Sequence, residues 1–209
     1  MNFSSFLYIN RGNCYGFPYI EAIKSVLWCD EIIIGTDPRF NDGTLESLRK
    51  LQSSNSNIQI ISHEFDYNVP NPHGAIKQYL RNKCTGNWVV ELDADEYLLQ
   101  NSIQGIKDLC ENAPPMVGAI EVPMLSFFNG NWIHQDMPKY RTLMSRNIKH
   151  ICHDIGKQNH HGRYGAVLIN NNGTKINAGL SFSEMSIYHY GWYSLPRRWE
   201  MKQTLHYYQ

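Results

Sequence analysis

Runs of apolar residues and helically spaced apolar positions alternate along the first hundred residues of the chain. A short run of apolar or β-branched residues predicts a buried strand, and apolar residues three or four positions apart predict a helix. The strands predicted in this way cover residues 3–9, 31–34, 58–61 and 88–92, and the helices cover 18–28, 45–51, 72–84 and a stretch that Asn101 or Ser102 caps and Glu111 ends. Because strands and helices alternate, the sequence predicts a mostly parallel sheet with helices on both faces.

The second half of the chain has a different pattern, in which strand-like pieces alternate with polar loops rich in Asn and His. These pieces cover residues 118–125, 140–146, 166–169 and 185–190, and residues 196–208 have the apolar spacing of an amphipathic helix. With no repeat and no linker, the sequence predicts one domain over 1–209, with a Rossmann-like α/β half over 1–100 and a smaller β region within 101–209. Since no C-cap follows the last helix, we expect a truncated chain or one domain of a longer polypeptide.

Charge and cysteine content narrow the class of protein. Lys plus Arg equals Asp plus Glu at 19 each, which argues against nucleic acid as the main partner because binding phosphates needs a basic face. The five cysteines are scattered and form no CxxC pair, so we expect reduced thiols in a cytoplasmic protein. No signal peptide and no apolar run long enough to span a membrane is present, so no membrane span is expected.

Two of the predicted strands end in loops that carry carboxylates: Gly35-Thr-Asp37, and Asp93-Ala-Asp-Glu96, called the acidic loop from here on. The carboxyl ends of parallel strands meet at one edge of a sheet, where ligands bind. The carboxylates of the acidic loop repel one another unless a divalent cation neutralises them, and oxygen ligands suit Mn²⁺ or Mg²⁺. From the spacing alone, a solvated acidic turn is an equally good interpretation.

Several segments carry a resemblance to one family. Trp88-Val-Val-Glu-Leu-Asp-Ala-Asp-Glu-Tyr-Leu98 is similar to the DXD region of inverting family 2 glycosyltransferases, which have the GT-A fold, in the branch of lipopolysaccharide-core and virus-encoded sugar transferases. Residues 22–34 are similar to the first helix and second strand of that family. Thr36-Asp37 with Asn41-Asp-Gly-Thr44 resembles its D-x-G-S-T-D-G-T element, from which Pro38-Arg39-Phe40 departs. His153-Asp154 occupies the place of a His-Glu pair, and His189-Tyr-Gly-Trp-Tyr193 with Lys202 resembles a terminal H-Y-G-Y…K segment.

The resemblance implies a GT-A-like fold, a nucleotide-diphosphate sugar donor and a glycan or other hydroxyl acceptor. Asp37 would contact the nucleobase or ribose, and Asp93 would hold the ribose or a metal-bound water. Asp95 would bind Mn²⁺ or Mg²⁺ with His189 as a further ligand, and Glu96 would support the loop. The other residues assigned to the nucleotide sugar are Asn10, Arg11, Lys77, Arg81 and Ala94. The further basic residues that could hold the diphosphate are Arg197, Arg198 and Lys202.

An inverting transfer needs one general base, which removes the proton of the acceptor hydroxyl. The resemblance implies Asp154 for this role, with Asp136 and Glu184 as alternatives, and residues 157–162 could cover the acceptor. UDP is favoured as the nucleotide on frequency alone. A structural zinc has little support because the histidines and Cys152 between residues 150 and 161 lack zinc-ligand spacing. One competing interpretation is a sugar-1-phosphate nucleotidyltransferase, which would require a denser Gly-rich loop after the first strand. The other is a non-catalytic sugar-binding module.

Overall fold

The computed structural model describes residues 1–128, 132–133, 140–153, 168–169, 180–181 and 185–192. The strands are β1 (Phe3–Tyr8), β2 (Glu31–Thr36), β3 (Ile58–Ser62), β4 (Trp88–Glu91), β5 (Glu96–Leu98), β6 (Ala119–Phe128), β7 (Trp132–Ile133), β8 (Tyr140–Arg146), β9 (Cys152–His153), β10 (Leu168–Ile169), β11 (Leu180–Ser181) and β12 (Ile187–Trp192). The helices are α1 (Gly12–Tyr15), α2 (Tyr19–Lys24), α3 (Thr44–Ser53), α4 (Pro72–Arg81) and α5 (Ile103–Asn112). A 3₁₀ turn over Gln100–Ser102 precedes α5.

The first half of the chain forms a parallel sheet in the order β3-β2-β1-β4. Successive residues of these strands point to opposite faces, and both faces are buried. Phe6, Ile33 and Val89 pack on one face with α4. Their neighbours along the strands face the other way, into the larger core that also contains residues of α2, α3 and α5. Burial on both faces explains why the apolar runs predicted these strands well.

Helix α4 lies unusually close to the sheet. A Cβ added at Gly35 would come within 2.8 Å of the Leu80 side chain and 2.9 Å of the Tyr8 ring, so only glycine fits beneath the helix at this point of β2. Asn71 caps the helix by accepting a hydrogen bond from the Gly74 N–H at 3.0 Å, and Pro72 occupies the first turn, where proline is tolerated. This close packing places Lys77 of α4 near the carboxyl ends of β1 and β4.

The second half of the chain extends the same sheet from β4. Strand β8 pairs antiparallel with both β4 and β6, and β12 then runs parallel to β6 and antiparallel to β5. Because β5 follows the acidic loop directly, the chain leaves β4, turns through the loop and joins the sheet again several strands away. The result is a curled, mixed α/β sheet, which confirms the predicted fold class.

Aromatic rings stack across the three strands at this far edge. Tyr97 of β5 and Phe127 of β6 each stack on Tyr188 and Tyr190 of β12, with ring centroids 4.9–5.6 Å apart and planes within 17°. Cross-strand aromatic pairs of this kind stabilise strand register. Since side chains alternate along β12, the ring stack fixes His189 on the opposite face, beside the acidic loop.

The predicted elements differ from the observed ones mainly at their ends. The helices predicted over 18–28 and 72–84 are α2 and α4, which end earlier in tight turns such as the 3.0 Å bond from the Cys84 N–H to the Arg81 carbonyl. The short strands β5, β7, β9 and β11 were not predicted. The helix predicted over 196–208 lies outside the described residues. Within the ranges the structure describes, no helix has both the length and the apolar character needed to cross a membrane.

Candidate active site

The parallel strands β1, β2 and β4 end at one edge of the sheet, where most of the predicted site residues are found. Asn10 and Arg11 follow β1, Asp37 follows β2, and Asp93 follows β4. This is the edge where ligands bind in open α/β sheets. A shallow cavity of about 340 Å³ lies at the amino-terminal ends of the same strands, but its carboxylates at Asp30 and Glu31 are already hydrogen-bonded within the protein.

Asp37 is buried and fully hydrogen-bonded. Its side chain is 0% exposed, and its oxygens accept from the Arg39 guanidinium at 2.5 and 2.9 Å and from the Phe65 N–H at 3.1 Å. The Arg39 hydrogen bonds, aided by the backbone bonds, lower the pKa of Asp37 to about 2 against the opposing effect of burial. Arg39 also donates to the Phe65 carbonyl at 2.9 Å. Asp37 therefore holds the β2–α3 and β3–α4 loops together, so contact with a nucleobase requires Arg39 to move.

The departure from the family pattern at Pro38-Arg39-Phe40 has a structural explanation. Arg39 pairs with Asp37, and the Phe40 ring lies under the Arg11 guanidinium with 3.6 Å between the guanidinium carbon and the ring centroid. Arg11 has φ 52°, a left-handed conformation that is uncommon outside glycine. Asn10 has a buried Oδ1 with no hydrogen-bond partner in the described part of the chain. These residues bring a cation and a free acceptor to the strand ends.

The acidic loop is held by two largely buried cations, whose side chains are 13% and 16% exposed. Lys77 donates to Glu91 at 2.7 Å and contacts Asp93 at 2.8 Å, and Arg141 contacts the same two carboxylates at 3.2 Å each. Arg141 also pairs with Glu96. The five residues Lys77, Glu91, Asp93, Glu96 and Arg141 form what we call the charge cluster.

The charge cluster keeps its carboxylates ionised. Burial would raise the pKa of Glu91, but Lys77, His153 and Arg141 together lower it to about 2. Burial opposes ionisation of Asp93 as well, and Arg141 and Lys77 lower the pKa of that carboxyl well below its usual range. Contact with Lys77 and Arg141 offsets much of the cost of burying these carboxylates.

Backbone hydrogen bonds fix the shape of the acidic loop. The Asp93 N–H donates to Glu96 Oε2 at 2.9 Å, and the Glu96 N–H donates to the Asp93 carbonyl at 3.1 Å. The Tyr190 N–H donates to the Asp95 carbonyl at 2.7 Å and so ties the loop to β12. Glu96 thus supports the loop, as expected. Ala94, between the two aspartates of the loop, is buried in the core.

The structure brings Asp95 and His189 together. Asp95 Oδ2 lies 3.8 Å from His189 Nε2, and each side chain is 14% exposed. His189 Nδ1 is 3.0 Å from the Ser126 hydroxyl, which orients Nε2 toward the carboxylate. The two side chains offer a carboxylate oxygen and an imidazole nitrogen, and Mn²⁺ binds both kinds of ligand atom.

The charges around this pair fit a divalent cation. In the described part of the chain, the carboxylates Glu91, Asp93, Asp95 and Glu96 form ion pairs with two permanent cations, Lys77 and Arg141, and with His153 and His189. These contacts carry an excess of two negative charges when both histidines are neutral. Burial lowers the pKa of His153 to about 4, so it is neutral at pH 7. In the described part of the chain no group of three or more His, Cys, Asp or Glu side chains is arranged around a metal position.

The hydrogen bonds of Arg81 in the described part of the chain go to β8 and the segment after it, not to the acidic loop. Its side chain is buried and donates to the Ser145 hydroxyl at 2.7 Å, to the Arg146 carbonyl at 2.6 Å and to the Ile151 carbonyl at 3.4 Å. Its donors thus join α4 to β8 and the segment after it. Lys77, one turn earlier on the same helix, instead contacts Glu91 and Asp93 at the carboxyl end of β4.

Sequence analysis did not identify Arg141, Glu91 or His153 as site residues. Arg141 belongs to no motif, and it reaches the acidic loop only because β8 is antiparallel beside β4, a pairing that the strand order does not reveal. Glu91 is hidden in an apolar run, although a charged residue inside a buried strand is a sign of a paired partner. Its Oε2 lies 3.4 Å from His153 Nε2.

Several predicted residues lie outside the described ranges. They are Asp136, Asp154, Glu184, Arg197, Arg198, Lys202 and the loop over 157–162. Asp154 directly follows His153, which is the last residue of β9 and packs edge-on against the Phe6 ring.

The fold and the site at the carboxyl ends of the parallel strands together indicate a class of protein. A mixed α/β sheet whose central strands end in an acidic loop is the arrangement of GT-A glycosyltransferases that the sequence resemblance implied. A model of the family described as Glycosyl transferase family 2 matches residues 20–167 of the chain. The protein belongs to this glycosyltransferase family, which confirms the resemblance.

Solved structures agree on the fold. The chain is similar to a crystal structure of TarS 1-349 from S. aureus, with a TM-score of 0.58 and 15% identity over 91% of this chain and 61% of that one. A structure of TarS 1-349 in complex with UDP-GlcNAc matches with a TM-score of 0.52 and 17% identity over 70% of this chain and 46% of that one. The chain thus spans about half the length of the protein in that complex. No curated protein sequence matches it significantly.

Proposed function

We propose that this protein is an inverting, metal-dependent glycosyltransferase that moves a sugar from a nucleotide-diphosphate sugar to a hydroxyl of a glycan acceptor. The observation that carries the proposal is the acidic loop at the carboxyl end of β4, with Asp95 beside His189 and an excess of two negative charges around them. Family membership supplies the reaction class. UDP is the favoured nucleotide, and the UDP-GlcNAc bound by the S. aureus protein supports that choice.

Different site residues are proposed to bind different parts of the nucleotide-sugar donor. Asn10, Arg11 and Asp37 are proposed to hold the nucleoside, with Arg39 as the gate to Asp37, and Asp93 is proposed to hold the ribose or a metal-bound water. Ala94 and Lys77 complete the donor side of the loop. Asp95 and His189 would hold Mn²⁺ or Mg²⁺, which would stabilise the charge that develops on the departing diphosphate.

In the proposed reaction, the acceptor oxygen forms a bond to the anomeric carbon while the bond from that carbon to the diphosphate oxygen breaks. The proton of the acceptor hydroxyl passes to a carboxylate, for which we propose Asp154, with Asp136 and Glu184 as alternatives. Attack from the face opposite the diphosphate inverts the anomeric configuration. The proposed location is the cytoplasm.

The proposal is tested with the Asp95→Asn variant. We expect this variant to lose Mn²⁺-dependent release of UDP from UDP-sugars while keeping the melting temperature of the unmodified protein, because Asp95 is partly exposed and makes few structural contacts. Asp108→Asn, an exposed carboxylate on α5, is the matched control and should keep full turnover. Undiminished turnover in Asp95→Asn would remove the metal assignment.

The same assay separates the competing functions. A nucleotidyltransferase would release pyrophosphate from a nucleoside triphosphate and a sugar 1-phosphate, and a sugar-binding module would turn over neither substrate. A sugar-binding module gives no reason for an acidic loop at the end of a parallel strand. A nucleotidyltransferase would require a denser Gly-rich phosphate loop after β1 than this chain has.

A further inference from the structure

Arg141 contacts three parts of the acidic edge at once: β4, the acidic loop and β5. Strands β4 and β8 pair with Val90 opposite Met144, and continuing that antiparallel register past the end of β4 brings Arg141 opposite Asp93. From there its guanidinium contacts Glu91 in β4, Asp93 in the loop and Glu96 in β5. The side chain is only 16% exposed, so these contacts form in a largely water-excluded place.

The contacts divide the four carboxylates into two groups. Both oxygens of Asp93 are engaged, one with Lys77 and one with Arg141, and Glu96 is engaged with Arg141 and with the Asp93 N–H. Asp95 has a different partner, since its one ion-pair contact in the described part of the chain is with His189. The planar guanidinium suits this arrangement because its donors point in fixed directions, whereas an ammonium group is a single point charge.

We propose that Arg141 is a positioning residue for the sugar transfer: it holds Glu91, Asp93 and Glu96 in place, so that Asp95 is the loop carboxylate left to bind the cation. The part that concerns transfer rests on the proposed function, whereas the part that concerns the shape of the loop does not. Arg141 itself touches neither donor nor acceptor in this scheme.

The proposal separates cation binding from turnover. Without Arg141, the excess of negative charge around the loop rises and carboxylates that were paired become available. Mn²⁺ should then bind at least as tightly, but at shifted positions. A displacement of about 1 Å from the productive geometry costs about 10²-fold in rate. A residue with a merely structural role would not move these two quantities in opposite directions.

The test compares Arg141→Gln with Arg146→Gln. Arg146 is the matched control because it lies on the same strand, and its guanidinium donates to the backbone carbonyls of Val117, Ala113 and Pro114 and lies over the Trp88 ring. It has no ion pair with the acidic loop in the described part of the chain. Titration of free Mn²⁺ by electron paramagnetic resonance gives the affinity without any turnover. We expect Arg141→Gln to bind Mn²⁺ as tightly as the unmodified protein or more tightly, with turnover reduced about 10²-fold, and Arg146→Gln to lower only the melting temperature.

A second variant keeps the proposal testable if Arg141→Gln folds poorly. The double variant Arg141→Gln with Glu96→Gln returns the original charge excess, and the new amide oxygen can still accept the Asp93 N–H. Its melting temperature should lie above that of Arg141→Gln alone. The proposal is overturned if the two substitutions lower the melting temperature additively, or if Mn²⁺ affinity and turnover of Arg141→Gln stay unchanged or fall together. If the unmodified protein transfers no sugar, the proposed function fails, while the Mn²⁺ titration and the double variant still decide the role of Arg141.

Discussion

A buried histidine is stable in the neutral form and costly in the protonated one. His153 is 1% exposed, and neither ring nitrogen has a hydrogen-bond partner in the described part of the chain. Burial lowers its pKa from 6.5 to about 4, an effect that Lys77, Arg81 and Arg141 reinforce and the nearby Glu91 opposes. His153 therefore couples the stability of the fold to pH through a group next to the charge cluster.

We expect the stability that His153 contributes to decrease on acidification. Its pKa is lower in the folded than in the unfolded state, so the unfolded chain binds the proton more readily, and stability is lost as pH falls from about 6.5 to 4. The full effect is about 3 kcal/mol. Measured by urea unfolding, the free energy of unfolding of His153→Gln should depend less on pH in this range than that of the unmodified protein. His150→Gln, at an exposed position, is the control and should behave like the unmodified protein. Parallel curves for His153→Gln and the unmodified protein would contradict the assignment.

At the level of single residues, the sequence indicated the candidate metal ligands but not the residues that position them. Asp95 and His189 were predicted to act together and lie 3.8 Å apart. Arg141 could not be predicted, because its role depends on the register of an antiparallel strand rather than on a local motif. Arg81 has the residue type expected for binding diphosphate, but the side of α4 on which it lies faces backbone carbonyls instead.

At the level of elements, parallel strands with both faces buried leave a clear apolar run, whereas strands of two or three residues leave none. This difference explains why β1 to β4 were predicted and β5 and β9 were not. The position of β8 is a property of tertiary pairing, since β4 accepts it as an antiparallel neighbour on the side opposite β1. Pattern alone shows that residues 140–146 form a strand but not which strand it joins.

The hydrogen bonds from Arg81 of α4 to β8 and the segment after it can be tested by substitution. We expect Arg81→Met to destabilise the protein by about 2–4 kcal/mol, because the Ser145 hydroxyl and the Arg146 carbonyl lose the buried guanidinium that donates to them. Lys83→Met, an exposed cation just after the same helix, should change stability little. Thermal unfolding measures the change in stability, and the KM for the donor shows whether Arg81 also contributes to donor binding. An increase in donor KM with unchanged stability would return Arg81 to the nucleotide site.

For the whole molecule, ligand binding should be visible as a gain in stability. A ligand that binds only the folded state at about 100 times its Kd adds about 2.7 kcal/mol, which corresponds to a rise in Tm of about 5–10 °C for a chain of this size. We expect UDP with Mn²⁺ to produce this rise and UDP without metal to produce less, because the excess negative charge of the loop repels the diphosphate. A thermal-shift panel of nucleoside diphosphates measures it. A larger rise with another nucleotide would replace UDP as the favoured donor.

The pairing of β5 with β12 also determines when the site can form during synthesis and folding. Residues 96–98 pair with residues 187–189, about 90 positions later in the chain. Contacts between residues so distant in sequence have a high loop-closure entropy and form late. The parallel strands can therefore assemble on a nascent chain well before Asp95 meets His189. We expect the newly made protein to form the contact between Asp95 and His189, the proposed cation ligands, among the last of its tertiary contacts, after the sheet that carries them has folded.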